Sequence, residues 1–266
     1  MQKIQIKAYA KINLTLEILD KLSNGYHKIR SIFQAIDLHD ALLISKTEDG
    51  FCLIGSVDCS NEENLITKTW KRMTDFVKRD LSCKIHLSKN IPESAGLGGG
   101  SSDAAATLIG LNNLFELNLS TKQLSEIGVN IGKDVPFFIY NIGTALVNGM
   151  GEKIKISNRK PSNFYVLAKP DQGISTSEIY SLFDKYGKSK SFFELVNRIC
   201  PSITKLYSYF YPISKECAMS GTGPTIFAGF DSYKNALKAK DNFIDVTFKG
   251  DFYICKPSKK TYEIVF

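Results

Sequence analysis

The stretch that most constrains this chain is Ile91 to Ala106, IPESAGLGGGSSDAAA. Gly96, Gly98, Gly99 and Gly100 fall within five positions, which permits positive φ and leaves backbone N–H groups uncovered. Ser101, Ser102 and Asp103 follow with N-capping side chains. Ala104, Leu108, Leu111 and Phe115 then recur at helical spacing, which predicts a helix with one apolar face. A glycine loop feeding a helix N-terminus is an anion site, because free amides and the positive end of the helix dipole point the same way. The alternative is a plain turn ahead of an ordinary helix.

Two better-known phosphate loops do not fit. A P-loop needs Lys-Ser or Lys-Thr after its glycines, and none follows here; the stretch from Gly128 fails as well, since Lys133 precedes Asp134. A dinucleotide fingerprint needs a third glycine where Ser101 stands. Lys and Arg outnumber Asp and Glu by 34 to 27, a balance of +7 that suits anionic ligands or merely a lysine-rich surface. A nucleic-acid-binding protein would be the rival of a different class. The chain has no arginine-rich stripe, RNP-like aromatic motif or recognition-helix pattern, so no nucleic-acid partner is expected.

Six cysteines (52, 59, 83, 200, 217, 255) are scattered, with no C-x-x-C pair and no zinc spacing. With no secretory or membrane-spanning run, the expectation is a cytoplasmic protein with reduced thiols and no membrane partner. The 43% hydrophobic content over 266 residues suits one large or two modest domains.

From Ile4 to Ile18 apolar residues alternate with polar ones, so a long strand, or two joined by a bulge, buries the even positions. Lys11 and Asn13 then project from the other face, either into solvent or into a site. Asn24-Gly25 signals a turn, followed by Tyr26-His27 and strand-like spacing from Ile29 to Ala35. An aromatic face can stack on a pyrimidine while an imidazole hydrogen-bonds its edge. His39 and His86 lack such a context. Asn61 to Asn64 opens a helix whose buried stripe is Leu65, Thr69, Trp70, Met73, Phe76 and Val77. Ser120 to Gln123 matches a capping box, and that helix is expected to run to a C′ glycine at Gly132. Asp134 could cap a further helix at Pro136. The polar stretch from Ser157 to Asn163 marks a domain boundary, giving units over 1–156 and 164–266. Ser220-Gly221-Thr222-Gly223 is a second glycine turn between two apparent strands.

The pattern P-x-x-x-G-L-G-G-G-S-S (Pro92 to Ser102) resembles the phosphate loop of the GHMP small-molecule kinases. Ala10-Lys11-Ile12-Asn13 and Gly25-Tyr26-His27 narrow the resemblance to the branch that phosphorylates a cytidine-diphosphate-linked methylerythritol on the way to isoprenoid precursors. Gly132-Lys133-Asp134-Val135-Pro136 and Pro170-x-x-Gly173-Ile174-Ser175-Thr176 with Tyr180 match further motifs of that branch, and Ser220 to Gly223 matches the loop that folds back on the phosphate loop. The matched segments spread from residue 9 to residue 225.

The resemblance implies an α+β fold of two domains, the second ferredoxin-like, with the active site in the cleft between them. It implies ATP as co-substrate, with Mg²⁺, and a small-molecule alcohol as acceptor, phosphorylated at its 2-hydroxyl. It assigns Lys11 and Asp134 to catalysis. Pro92, Gly96, Leu97, Gly98, Gly99, Gly100, Ser101, Ser102, Asn64 and Lys89 fall to ATP, and Asn13, Tyr26, His27, Thr176 and Tyr180 to the substrate; capping and solvation would also explain Asn64 and Lys89. Two positions depart from the pattern: Tyr9, where proline is usual, and Lys133, where a small residue is usual. Kinases of the same superfamily acting on homoserine, mevalonate or a sugar are the nearer rivals. Metal ligands and oligomeric state are not implied.

Overall fold

The structure, a computed structural model, describes residues 2–23, 25, 27–55, 63–172, 174–186 and 192–265. Asn24 and Tyr26 of the expected turn, Asn61 and Glu62 of the expected helix start, and Gly173 lie outside these residues.

Two long strands, β1 (Lys3–Lys21) and β2 (His27–Lys46), form an antiparallel hairpin that spans the molecule. Alternate burial holds from Lys3 to Ala8, as period two requires. From Tyr9 to Leu14 every residue is buried, on both faces of the strand. The register slips between Tyr9 and Ala10 and again between Asn13 and Thr15, so the expected irregularity is real. Lys11 and Asn13 are 4% and 3% exposed and are not solvated strand residues.

Around the hairpin stand β3 (Phe51–Gly55), β4 (Cys83–Ser88), β5 (Thr144–Gly149) and β6 (Lys153–Ile156). Helix α1 (Leu65–Val77) starts at Asn64, whose side-chain oxygen accepts the Ile66 N–H at 2.9 Å, so Asn64 does cap this helix. Its buried residues are Ile66, Thr69 and Met73, and Phe76, expected in the stripe, is exposed near the end of the helix. Helix α2 (Gly99–Leu114) is buried almost all round, with 12 of its 16 residues covered, and not along a single apolar face as expected. Its neighbours explain this: the sheet lies on one side, and α1, α3 (Thr121–Gly128) and α4 (Val135–Ile139) close the others. The capping box of α3 is present, with Ser120 and Gln123 bonded reciprocally. The helix ends at Gly128, short of the expected Gly132, because a turn intervenes before α4.

The second unit holds β7 (Phe164–Pro170), α5 (Thr176–Tyr186), α6 (Phe192–Ile199), α7 (Ser202–Phe210), β8 (Glu216–Met219), β9 (Ile226–Phe230), α8 (Tyr233–Asp241) and β10 (Gly250–Cys255). Its antiparallel sheet runs β10-β7-β9-β8, the order of a ferredoxin-like fold. Strand β11 (Tyr262–Val265) leaves this unit and pairs with β1, so the end of the stretch expected over 164–266 lies in the first sheet. Pairing with an edge of β1 satisfies backbone groups that would otherwise face solvent. At Tyr9 the exchange is specific: its N–H donates to the Thr261 carbonyl at 3.0 Å, a bond that proline at this position could not make.

An apolar seam joins the units, with Ala10, Ile12, Leu14, Ala95 and Leu97 from one side and Tyr165, Leu167 and Phe227 from the other. Among the described residues no helix is long and apolar enough to cross a membrane, and Cys52, Cys83, Cys200, Cys217 and Cys255 are free thiols.

At the seam the two glycine loops touch backbone to backbone. A Cβ built on Gly223 would lie 2.3 Å from the Gly96 nitrogen and 2.4 Å from the Ala95 carbonyl carbon. Gly223→Ala is therefore expected to force the loops apart and to cost about 1–3 kcal/mol, as for overpacking. Thermal and urea unfolding would show the loss, and an unchanged midpoint would mean the seam tolerates separation.

Candidate active site

The glycine loop is bent by Gly98, which precedes α2 with φ +72°, a conformation that side-chain-bearing residues rarely adopt. Gly98 occupies the N-cap position, so Ser101, Ser102 and Asp103 are not caps but lie within the first turns of the helix. Ser102 is buried and donates its hydroxyl to the Tyr9 carbonyl at 2.7 Å, pinning α2 to β1. The Lys11 N–H donates to the Leu97 carbonyl at 2.9 Å, a second clamp on the loop. The loop amides and helix N-terminus thereby open into a cavity of about 510 Å³ in the cleft, within the range of small-ligand sites.

Lys11 lies at the centre of the polar wall. Its ammonium donates to Asn13 Oδ1 at 2.7 Å and to the Gly96 carbonyl at 3.0 Å, lies 3.4 Å from Asp134 Oδ2 and stands over the Phe33 ring at 4.9 Å. A buried ammonium needs such partners, since its three donors would otherwise be stripped of water. Asn13 in turn donates to Ser31 Oγ at 3.0 Å, and Ser220 Oγ donates to the Gly96 carbonyl at 2.9 Å. The second glycine loop therefore folds against the first, as expected.

Asp134 precedes α4 at the N-cap position but makes no side-chain capping bond. Its carboxylate turns to Lys11 instead and is partly open to the cavity. Lys133 points elsewhere, donating to the Val129 carbonyl at 3.2 Å near the end of α3. Tyr180 from α5 completes the wall on the second unit's side; burial first, then the Asp134 charge, pushes its phenol up to about 12.

The cavity wall brings together Lys11, Asn13, Asn64, Lys89, Pro92, Gly96 to Ser101, Asp134 and Tyr180 of the expected residues. Ser102 is packed beneath it. His27 does not line the cavity: its Nε2 is 2.8 Å from Asp184 Oδ1, and its ring stacks on Tyr180 with centroids 5.0 Å apart. Thr176 begins α5, beyond which its side chain is outside the described residues, as is all of Tyr26.

Lys89 is the residue whose surroundings the sequence concealed. Its ammonium lies between Asp40 Oδ2 at 2.5 Å and Asp103 Oδ2 at 3.0 Å, with Asp40 fully buried and also accepting the Asn90 and Ile91 N–H groups. Burial works against the Lys89 cation, but the two carboxylates outweigh it and hold its pKa above the ordinary value. Burial pushes the Asp103 carboxyl up, against the pull of Lys89. The spacing of Asp103 within its helix carried no signal for this cluster, because Asp40 comes from another strand.

Known proteins resemble this chain in sequence and in fold. The model of the GHMP kinases N terminal domain matches residues 64–141. A 4-diphosphocytidyl-2-C-methyl-D-erythritol kinase of Alkaliphilus oremlandii is 36% identical, covering 96% of this chain and 97% of its own. One from Clostridium tetani is 38% identical over 88% of this chain and 93% of its own. A crystal structure of 4-(cytidine 5'-diphospho)-2C-methyl-D-erythritol kinase superposes with a TM-score of 0.76 at 24% identity, covering 95% and 99% of the two chains. Homoserine kinase from Cytophaga hutchinsonii follows at 0.73 and 16%, covering 100% and 98%. The fold is that of the GHMP kinases, and the protein is a small-molecule kinase. Within that class the chain belongs to the 4-diphosphocytidyl-2-C-methyl-D-erythritol kinase family.

The Lys89 cluster yields a stability test. Lys89→Met keeps most of the stem but leaves Asp40 and Asp103 buried without a cation, which should cost about 3–5 kcal/mol. Urea unfolding at neutral pH measures it; a loss below about 1 kcal/mol would show that water reaches the cluster.

Proposed function

We propose that the protein transfers the γ-phosphoryl group of ATP to the 2-hydroxyl of 4-diphosphocytidyl-2-C-methyl-D-erythritol, in the methylerythritol phosphate route to isoprenoid precursors. The observation that carries this reading is the Lys11–Asp134 pair at 3.4 Å beside the glycine loop, in a chain whose relatives bear that substrate in their names. A cytoplasmic setting follows from the use of ATP and agrees with the free thiols.

Phosphoryl transfer asks a protein chiefly for positioning and for charge neutralisation. The loop amides from Gly98 to Ser101 and the N-terminus of α2 receive phosphate oxygens. Asp134 accepts the proton of the attacking hydroxyl, and Lys11 orients that hydroxyl and offsets developing negative charge. Asn13 and the Gly96 carbonyl hold Lys11 in place, so its ammonium cannot swing to solvent. Asn64, Leu65 and Lys89 line the cavity on the side assigned to the adenine, and Tyr180 on the side assigned to the cytosine.

Mg²⁺ is expected with ATP. No three His, Cys, Asp or Glu side chains converge on a metal position among the described residues. The carboxylates lining the cavity, Glu93, Asp134 and Asp103, the last with an unpartnered Oδ1, would fit an ion held mainly by phosphate oxygens and water. When bound, the ion would neutralise charge on the β- and γ-phosphates.

A coupled ADP-release assay with the cytidylyl substrate against mevalonate and homoserine tests the assignment; turnover of either rival with none of the cytidylyl substrate would overturn it. Asp134→Asn keeps the shape of the side chain and removes its basicity. The exchange removes the carboxylate beside Lys11 but leaves an amide oxygen to accept from it, so the fold should survive with a modest loss of stability while kcat falls by roughly 10²–10⁴ and both ligands still bind. Near-normal turnover would remove Asp134 from the chemistry.

A further inference from the structure

Three residues outside the catalytic pair meet where the β1–β2 hairpin reaches the second unit. His27, at the start of β2, is 8% exposed; its Nε2 lies 2.8 Å from Asp184 Oδ1 on α5. Lys21, at the end of β1, donates to the other oxygen of the same carboxylate. The imidazole is stacked on Tyr180, with an interplanar angle of 18°, and meets the edge of Phe183 at 5.7 Å. Tyr180 and Asp184 are one helical turn apart, so they share a face of α5, and Tyr180 lines the cavity.

This arrangement has a chemical consequence. The hydrogen bond from Lys21 holds the Asp184 carboxyl below the usual carboxylate range, so at neutral pH it is ionised and can only accept. The proton in the His27–Asp184 bond must then sit on Nε2, and in the neutral imidazole Nδ1 is left as the acceptor. Asp184 thereby dictates both the tautomer and the plane of His27, and the plane of His27 is the surface against which Tyr180 rests.

We propose that Asp184 is a positioning residue for the base of the nucleotide-linked substrate: by holding His27 it orients Tyr180, which stacks on His27 and lines the second unit's side of the cavity. No contact of Asp184 with the phosphate loop or the Lys11–Asp134 pair is found among the described residues, so its effect should fall on the acceptor substrate and not on ATP. The proposal rests on the reading of that substrate as a cytidylyl compound.

The test combines kinetics with a spectroscopic signature. In Asp184→Asn the shape of the side chain is kept, but an amide can accept from Nε2 or donate to it, so the tautomer is no longer imposed. The Michaelis constant for the cytidylyl substrate should rise by about tenfold, and that for ATP should stay within about twofold. Asp184→Glu, which restores an ionised acceptor, should recover part of the loss. Long-range proton–nitrogen spectra of ¹⁵N-histidine-labelled protein are simple to assign with three histidines in the chain. Recorded where the imidazole is neutral, they should show His27 wholly as the Nε2–H tautomer in the native protein and as a mixture in Asp184→Asn. A tautomer that stays fixed, or Michaelis constants for both substrates that rise together, would overturn the proposal by making the contact merely structural. Failure of the native protein to use the cytidylyl substrate would instead remove the substrate reading, and the positioning of its base with it, while the spectra still decide whether Asp184 governs His27.

Discussion

A lysine ammonium at 4% exposure cannot remain in a fold unless its donors are satisfied, and at Lys11 this requirement organises the molecule. Asn13 comes from the same strand, the Gly96 carbonyl from the phosphate loop, and Asp134 from the turn before α4. Each partner arrives from a different part of the chain, so burying Lys11 specifies how the strand, the loop and the α4 turn approach one another. Ser220 extends the same network to the second unit through its bond to the Gly96 carbonyl. One desolvated charge thus couples the first strand, both glycine loops and the junction between the units.

That coupling explains why this region is free of ordinary strand behaviour. Over Lys3 to Ala8 the strand has a buried and an exposed side, as its alternating sequence demands. Over Tyr9 to Leu14 the phosphate loop covers the face that would have been wet, and apolar residues of the second unit close the seam. Two register slips, at Tyr9/Ala10 and at Asn13/Thr15, fall in this segment and interrupt the regular ladder there. The same crowding accounts for α2, which starts at a glycine and is surrounded on all sides, so that its short Ala-rich first half is a steric necessity.

The cavity separates two kinds of electrostatic demand. Beside the glycine loop, partly open groups such as Asp134 remain available to a ligand. Lys89, only 12% exposed, is committed to Asp40 and Asp103, and a Cβ on Gly99 would fall 2.8 Å from its ammonium. Lys89 therefore supports the underside of the loop as well as lining the cavity. On the far side, His27 faces Tyr180 and Asp184 rather than the cavity, so the Tyr180 ring that lines the second unit's wall is backed by an imidazole from β2, itself held by a carboxylate of α5.

Local chemistry made much of this legible. The glycine run, the alternating first strand and the Ser120 capping box each encode their own structure within a few residues, because backbone freedom, side-chain period and reciprocal capping are short-range effects. Family resemblance brought Lys11 and Asp134 together on paper, and the alternatives for Asp134 were left open by its sequence alone. Tertiary structure decided what depends on groups far apart in the chain: that Asp134 turns to Lys11 instead of capping α4, that Asp40 and Asp103 share Lys89, and that β11 returns to β1. In each case a buried charge or an unpaired backbone edge takes a partner that only the folded chain can supply, and no local pattern records which partner that will be.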